Sequence, residues 1–331
     1  MRPSSLGWRG ILCAIPCAMA WLVALAGDTA HAQNYPSHTI RLIVPFPAGG
    51  SNDVAARLIA PHLEKALGQT VIVDNRPAAG GIVGSDAVAK AAPDGHTLLL
   101  VASSHTVTPA LNSKLPYGTE RDFAPISLII TNAMVFFVNP KVPASNLAEF
   151  IALAKKNPGK FNYSSPGAGS QTHLLIELLS RRAGITTQHV PYRSGAPATM
   201  AVISGEAEFT LLAPNVIFPH IRAGTIRPIA TGGATRHPQL PDVPTTAESG
   251  YPDVRAIQWV GVFTTAGTPR AIVERLNAEL NRIIRLPELA ERFADQGVTP
   301  TGSTPEEFQQ LIATEIREWT ETVRAANIKV E

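Results

Sequence analysis

Ala48-Gly49-Gly50-Ser51-Asn52-Asp53 is the stretch whose residue types are best suited to binding chemistry. It follows an apolar run, Thr39–Val44, and leads into a helical pattern that starts near Asp53. A helix that begins on glycines offers unpaired backbone N–H groups and the positive end of its dipole, and together these hold anions. Glycine also lets the backbone come close to a ligand. The plainer reading is a tight turn with Ser51 or Asn52 as helix cap. Asp53 either complements the dipole or orders the turn around a ligand.

Two further polar clusters occupy comparable places. Ser103-Ser104-His105-Thr106 closes the apolar run Thr97–Val101. Ser164 to His173 lies between a strand pattern and a helix pattern, is rich in hydroxyls and glycines, and puts His173 in the first helical turn. A lone histidine there is more often a cap or packing residue than a ligand contact.

Other chemistries find less support. Gly80-Gly81-Ile82-Val83-Gly84 has Ala79 at the first glycine position of the dinucleotide fingerprint, too long a turn before it and no suitable acidic residue after it, so it reads as a structural turn. No nucleophile elbow or phosphate loop occurs. The nine histidines contain no His-x-x-x-His or Glu-x-x-His pair, so neither a metal nor a cofactor is expected. A serine–histidine–acid triad assembles in space, and the sequence leaves that arrangement open.

The elements that must position these clusters alternate between strand and helix. Thr39–Val44, Thr70–Val73 and Thr97–Val101 read as strands, with helices at Asp53–Leu67 and Gly84–Ala92 between them. This β-α-β order predicts parallel strands covered by helices. A second set follows: strands at Val135–Val138, Phe161–Ser164, Thr187–Val190, Ala207–Leu212 and Ile226–Thr231, with helices at Leu147–Asn157, Gln171–Ala183 and Ala196–Ser204. Ser145 or Asn146 is the expected cap of the first of these helices. Trp259–Phe263 reads as a strand, and Pro269–Arg285 and Pro305–Ala326 as packing helices. Glu306, Glu307, Glu315, Arg317, Glu318, Glu321 and Arg324 read as the solvated face of the last helix.

The N-terminus reads as a signal peptide over residues 1–32. Arg2 and Arg9 precede an uncharged run from Gly10 to Gly27, and Ala30-His31-Ala32 fits the cleavage rule, which predicts export with Gln33 first. Cys13 and Cys17 lie inside this run without the context of a lipoprotein signal. Of 28 basic and 26 acidic residues, removal of Arg2, Arg9 and Asp28 leaves 26 and 25, a net charge of +1. Such a chain has no general affinity for nucleic acid. Without its leader it has no cysteine, hence no disulfide, thiolate site or cysteine nucleophile. About 300 residues suffice for two domains with sizeable cores.

With these residues in view, the chain resembles the Bug family, the extracytoplasmic solute receptors of tripartite tricarboxylate transporters. The likeness runs over residues 35–331 and rests on motifs in order. These are Val44-Pro45-Phe46-Pro47-Ala48-Gly49-Gly50-Ser51-Asn52-Asp53, Asn75-Arg76-Pro77, Ala92-Pro93-Asp94-Gly95-His96-Thr97-Leu98, Tyr163-Ser164-Ser165-Pro166-Gly167, Val190-Pro191-Tyr192-Arg193, Leu240-Pro241-Asp242-Val243-Pro244-Thr245, Ala266-Gly267-Thr268-Pro269 and Thr304-Pro305-Glu306-Glu307-Phe308. Ile82 stands where the family usually has Asn, His96 where it has Tyr, Ser194 where Gly is common, and Met200-Ala201 where Asp-Leu is usual.

The resemblance implies an α/β fold of the two-lobed periplasmic-binding-protein (type II, Venus-flytrap) kind, each lobe a mostly parallel sheet flanked by helices. Residues 33–133 and 256–331 would form lobe 1, and residues 134–255 lobe 2. It implies a monomeric periplasmic receptor, not an enzyme, that closes on a small carboxylate and serves inner-membrane permease subunits. Phe46, Ala48, Gly49, Gly50, Ser51 and Asp53 would hold one carboxylate group, aided by Ser103, Ser104 and His105. The facing lobe would offer Gly169, Ser170, Gln171, His173, Tyr192, Arg193 and Asn215. A secreted hydrolase of a carboxylate ester and a binding protein serving a sensor kinase are the rival expectations.

Overall fold

The alternation of strands and helices resolves into two sheets, each covered on both faces. The computed structural model describes residues 35–328 apart from Gln296 and the side chain of Asn215. The expected signal peptide and cleavage site lie outside the described residues. Among the described residues, no helix is long and apolar enough to cross a membrane.

In chain order the elements are β1 (Ile40–Val44), α1 (Ser51–Leu67), β2 (Val71–Asn75), α2 (Ile82–Ala89), β3 (Thr97–Ala102), α3 (Ser104–Leu111), β4 (Phe123–Ala133), β5 (Val135–Val138), α4 (Leu147–Lys156), β6 (Phe161–Ser165) and α5 (Gln171–Ala183). They continue with β7 (Thr187–Pro191), α6 (Gly195–Ser204), β8 (Phe209–Leu212), α7 (Pro214–Arg222), β9 (Arg227–Thr231), β10 (Ile257–Thr265), α8 (Arg270–Ile283), α9 (Pro287–Asp295), β11 (Thr299–Pro300) and α10 (Pro305–Ala325).

The first sheet has the order β11-β4-β10-β3-β1-β2 and the second β7-β6-β8-β5-β9. In the first, β1, β2 and β3 are parallel, and β10 runs antiparallel between β3 and β4. β4 therefore points the same way as β1 to β3. In the second, β6, β7 and β8 are parallel and β5 runs antiparallel between β8 and β9. Each sheet thus has one reversed inner strand in an otherwise largely unidirectional set. The reversed strands are those next to the chain crossings, where the backbone enters one sheet from the other.

One crossing is immediate, from β4 through Met134 into β5. The other returns from β9 to β10 through residues 232–256. They are stitched together by Met134 N–H to Ala256 O and Gly232 N–H to Met134 O, both 2.8 Å. Gly232 sits so close to Ala256 that a Cβ there would collide with its backbone.

Cores form on both faces of each sheet. Leu42, Ile59, Leu63, Ile129 and Leu276 pack on one face of the first, and Ile43, Leu99, Trp259, Phe263 and Phe308 on the other. Gly261 in mid-β10 leaves room for the Phe308 ring, which a Cβ would strike. Phe136, Phe150, Tyr163, Leu175 and Phe209 fill one face of the second sheet, and Phe137, Val202 and Ile217 the other. α10 joins the two: Phe308 and Ile312 belong to the first sheet's core and Trp319 to the second's.

Glu315 corrects the reading of α10. It is buried, not on the solvated face. Its carboxylate sits within 3.1 Å of Trp259 Nε1 and accepts a 2.6 Å hydrogen bond from Thr106 Oγ1. The last helix is capped as a capping box by Thr304 and Glu307, and Asn146 rather than Ser145 caps α4.

Candidate functional site

The anion-suited turn is built from behind. β1 ends at Val44, and Gly49 turns the chain with φ +82°. Asp53, buried in the first turn of α1, accepts from Gly49 N–H at 2.8 Å and from Arg57 Nε at 3.0 Å. Asn75, at the end of β2, donates to Phe46 O at 3.2 Å and accepts from Arg57. Burial pushes the Asp53 carboxyl up, but the hydrogen bonds from Arg57 and Gly49 outweigh it and hold the group below its ordinary value. The N-cap of α1 is Gly50, and no side chain caps it. Neither Ser51 nor Asn52 takes that role. The first-turn N–H groups thus keep their hydrogen-bonding capacity for something else. Gly80 and Gly81 form the turn before α2, with Gly81 packed against Pro45 and Gly84 so close to Pro45 that a Cβ would clash. This second glycine cluster is a support for the first.

A cleft of about 990 Å³ opens between the two sheets. Five helices begin at its wall. Ser51 starts α1, Ser103 precedes α3, Ser170 caps α5, Gly195 starts α6 and Ala213 precedes α7, and all five residues line the cleft. Each brings a positive dipole end, so their effects add in the space between, and all but α5 start without a side-chain cap. The rest of the wall is largely apolar: Phe46, Met134, Leu212, Val216, Phe218 and Trp259 among others. Arg222 and Asp295 are the charged side chains on it among the described residues.

The second sheet's contribution is more tightly held. Ser170 Oγ accepts from His173 N, and Gly169 N–H donates to His173 Nδ1 at 3.0 Å. That bond requires Nδ1 to be unprotonated. The His173 ring stacks on His189 with centroids 3.8 Å apart. Burial lowers the pKa of both to about 4, with the neighbouring His173 adding to the effect on His189. Gln171 already bridges the sheets: Ser103 Oγ donates to its Oε1 at 3.0 Å and its Nε2 donates to Ile257 O at 2.9 Å.

The sequence-predicted residues therefore fall into two groups. Phe46, Ser51, Ser103, Ser104, Gly169, Ser170 and Gln171 line the cleft. Ala48, Gly49, Gly50 and Asp53 form the turn beside it without lining it. His105 points away, into Tyr117, Phe123 and Phe263, and burial lowers its pKa to about 4. His173 stands behind the α5 start. Tyr192 packs against the Phe137 core while its N–H donates to Ser165 O; burial pushes its hydroxyl up to about 12. Arg193 is exposed. Asn215 lies in the first turn of α7, and its side chain is outside the described residues.

Several lining residues escaped the sequence reading. Asn132, Gln258 and Trp259 reach the cleft because β4 and β10 are neighbours in the sheet, which no local pattern reveals. Phe218 and Arg222 come from α7, a helix whose prolines, Pro214 and Pro219, obscure its periodicity. Trp259 is fixed from below by Glu315, whose carboxyl burial pushes up to about 7 against the hydrogen bonds of Thr106 and Trp259.

No serine–histidine pair faces the cleft among the described residues. Ser170 bonds the backbone of His173, not its ring. In the close pair, Ser165 Oγ and His189 Nε2 at 2.6 Å, Ser165 is fully enclosed and His189 half-buried.

The family model described as "Tripartite tricarboxylate transporter family receptor" matches residues 55–328. Protein BugT of Bordetella pertussis is 38% identical over 313 residues, covering 93% of this chain and 96% of that protein. Among solved structures, a ligand-free TctC solute binding protein from Polaromonas is 28% identical and superposes with a TM-score of 0.81 over 88% of this chain and 99% of that one. Rpa4515 of R. palustris with adipate is 30% identical, with a TM-score of 0.69 over 89% and 99%. With its two-sheet fold and cleft, the chain belongs to the solute-binding receptor family of the tripartite tricarboxylate transporters.

Proposed function

We propose that this receptor captures a small carboxylate between two lobes, residues 33–133 with 256–331 and residues 134–255, and delivers it to inner-membrane permease subunits. It would act as a periplasmic monomer, released from its leader after Ala32. The observation that carries this reading is the convergence of five helix starts on one cleft whose wall holds a single cationic side chain among the described residues. Backbone amides and dipole ends can neutralise a carboxylate without a dedicated arginine. The adipate bound by the R. palustris relative is of this chemical class.

The α1 turn, Ala48 to Ser51, would take the common carboxylate, with Asp53 ordering it. Ser103 and Ser104 would assist, and the α5 to α7 starts with Phe218 would sense the remainder of the ligand. The two lobes would join through the two chain crossings, from β4 to β5 and from β9 to β10. Binding then draws them together about the Met134, Gly232 and Ala256 stitch. Ser165 is enclosed and Ser170 caps α5 through the His173 backbone, so neither serine presents the cleft with a nucleophile paired to a histidine ring.

A thermal-shift screen of the purified protein against aliphatic and aromatic mono-, di- and tricarboxylates tests the proposal. A ligand that binds only the folded state raises its melting temperature. At least one carboxylate should do so in a concentration-dependent way. A library-wide null, with a sugar or a cationic amino acid giving the only shift, would overturn it.

A further inference from the structure

Away from the cleft, three side chains with metal-ligand chemistry meet at the far end of the first sheet. His38 precedes β1, and Asp94 and His96 belong to the turn before β3. Each brings one ligand atom within 4.8 Å of the others. His96 is 7% exposed, and its Nδ1 is buried without a hydrogen-bond partner. That nitrogen lies 3.3 Å from Asp94 Oδ1. Asp94 is held there because Oδ1 also accepts from His96 N–H at 2.9 Å. The His38 ring lies flat on His96, with centroids 3.7 Å apart and planes 8° from parallel. Its Nδ1 is 3.0 Å from Ser37 Oγ, which leaves Nε2 for another partner. The turn itself is anchored by Tyr35 Oη donating to Gly95 O at 2.8 Å.

We propose that His38, Asp94 and His96 form a binding site for a borderline divalent transition metal of the Zn²⁺ or Cu²⁺ kind. Two imidazoles and one carboxylate are the donor set such ions take, with a fourth position left to water. Two ligand atoms on a tetrahedral zinc sit roughly 3.3 Å apart, given bonds of about 2.0 Å. The His96–Asp94 separation already has that value. Oxygen-seeking Ca²⁺ and Mg²⁺ find only one carboxylate here. No local spacing announces the site, because β1 and β3 are neighbours in the sheet and bring their leading residues together.

Loading requires two adjustments. His38 must swing out of its stack so that both nitrogens converge. A metal on His96 Nδ1 moves the ring proton to Nε2, which now accepts from Ser37 N–H at 3.1 Å. Both changes fall on Ser37 and His38, two exposed residues ahead of β1. The ion would then staple this leading segment to the turn before β3, and binding would release a proton wherever an imidazole starts protonated.

Isothermal titration of the untagged, leader-free protein with ZnCl₂ near neutral pH tests the site, with CaCl₂ as control. We expect one Zn²⁺ per chain, a raised melting temperature on loading, and no response to Ca²⁺. His38→Ala and His96→Tyr should each weaken Zn²⁺ at least tenfold and remove its thermal shift. His38 is exposed, so His38→Ala reports on the site even where His96→Tyr disturbs the turn. Absence of Zn²⁺ binding, an affinity unchanged in His38→Ala, or equal binding of Ca²⁺ would overturn the proposal. Carboxylate binding is read separately, so neither result depends on the other.

Discussion

The two walls of the cleft carry similar residues but use them in opposite ways. At the start of α1 the glycines are exposed, no side chain caps the helix, and the fixing group, Asp53, works from behind. At the start of α5 the amides are already engaged: Ser170 caps His173 N–H and the His173 ring takes Gly169 N–H. Gln171 is committed to the first sheet. A turn left uncapped retains donors for a ligand, whereas a turn closed by its own side chains serves as a rigid surface. On the proposed function, the α1 start would take the anion and the α5 start would shape the cleft.

The largest effect on this division of labour is expected at Gly49. Its φ of +82° suits glycine, and a Cβ added there would meet nothing within 4 Å, so Gly49→Val strains the backbone without a clash at Cβ. Carboxylate affinity should fall about a hundredfold, measured by titration calorimetry, while unfolding stays cooperative. Unchanged affinity would make the turn structural only. Asp53→Asn should come next. It keeps the shape but weakens the charged acceptor of Gly49 N–H and Arg57, at a cost of about 1–2 kcal/mol in denaturant unfolding, with affinity about tenfold weaker.

Acidity probes the second wall. His173 and His189 titrate near 4 when folded and near 6.5 when unfolded. The unfolded chain therefore takes up more protons between these values, and stability falls as pH drops from 6.5 to 4. Glu315 has the opposite sign. Its folded value near 7 lies above the ordinary 4.5, so its contribution is lost as pH rises from 4.5 to 7. Melting temperature against pH for His189→Phe should be flatter on the acid side, and for Glu315→Gln flatter on the neutral side. The smallest effect is expected for Ser170→Ala: about 1 kcal/mol of stability from the lost cap, with carboxylate affinity changed less than threefold.

Much of this was legible in local pattern. β5 and α5 have the limits that periodicity predicts, and most other elements differ by one to three residues at an end. The failures have physical causes. β4 is eleven residues long with Pro125 inside it, and its apolar residues do not alternate because both of its faces are covered. α3 and α7 contain Pro109 and Pro219, which break the helical signal. Glu315 reads as solvated because charge on a helix usually is; only packing against Trp259 and Thr106 shows otherwise. The α1 turn was readable because glycine and hydroxyl composition is itself the signal. Trp259, Asn132 and Phe218 were not, because strand order and a proline-rich helix deliver them.

Recognition of a carboxylate's charge by convergent helix starts is the property on which the proposed function stands. It is measured most directly by comparing a carboxylate hit with its primary amide, adipate against adipamide for example, by calorimetry on the same protein. The two have nearly the same shape and differ in charge. The amide should bind at least a hundredfold more weakly, and Gly49→Val should remove most of this difference. Equal affinity for the acid and the amide, undiminished in Gly49→Val, would contradict charge recognition by the helix starts.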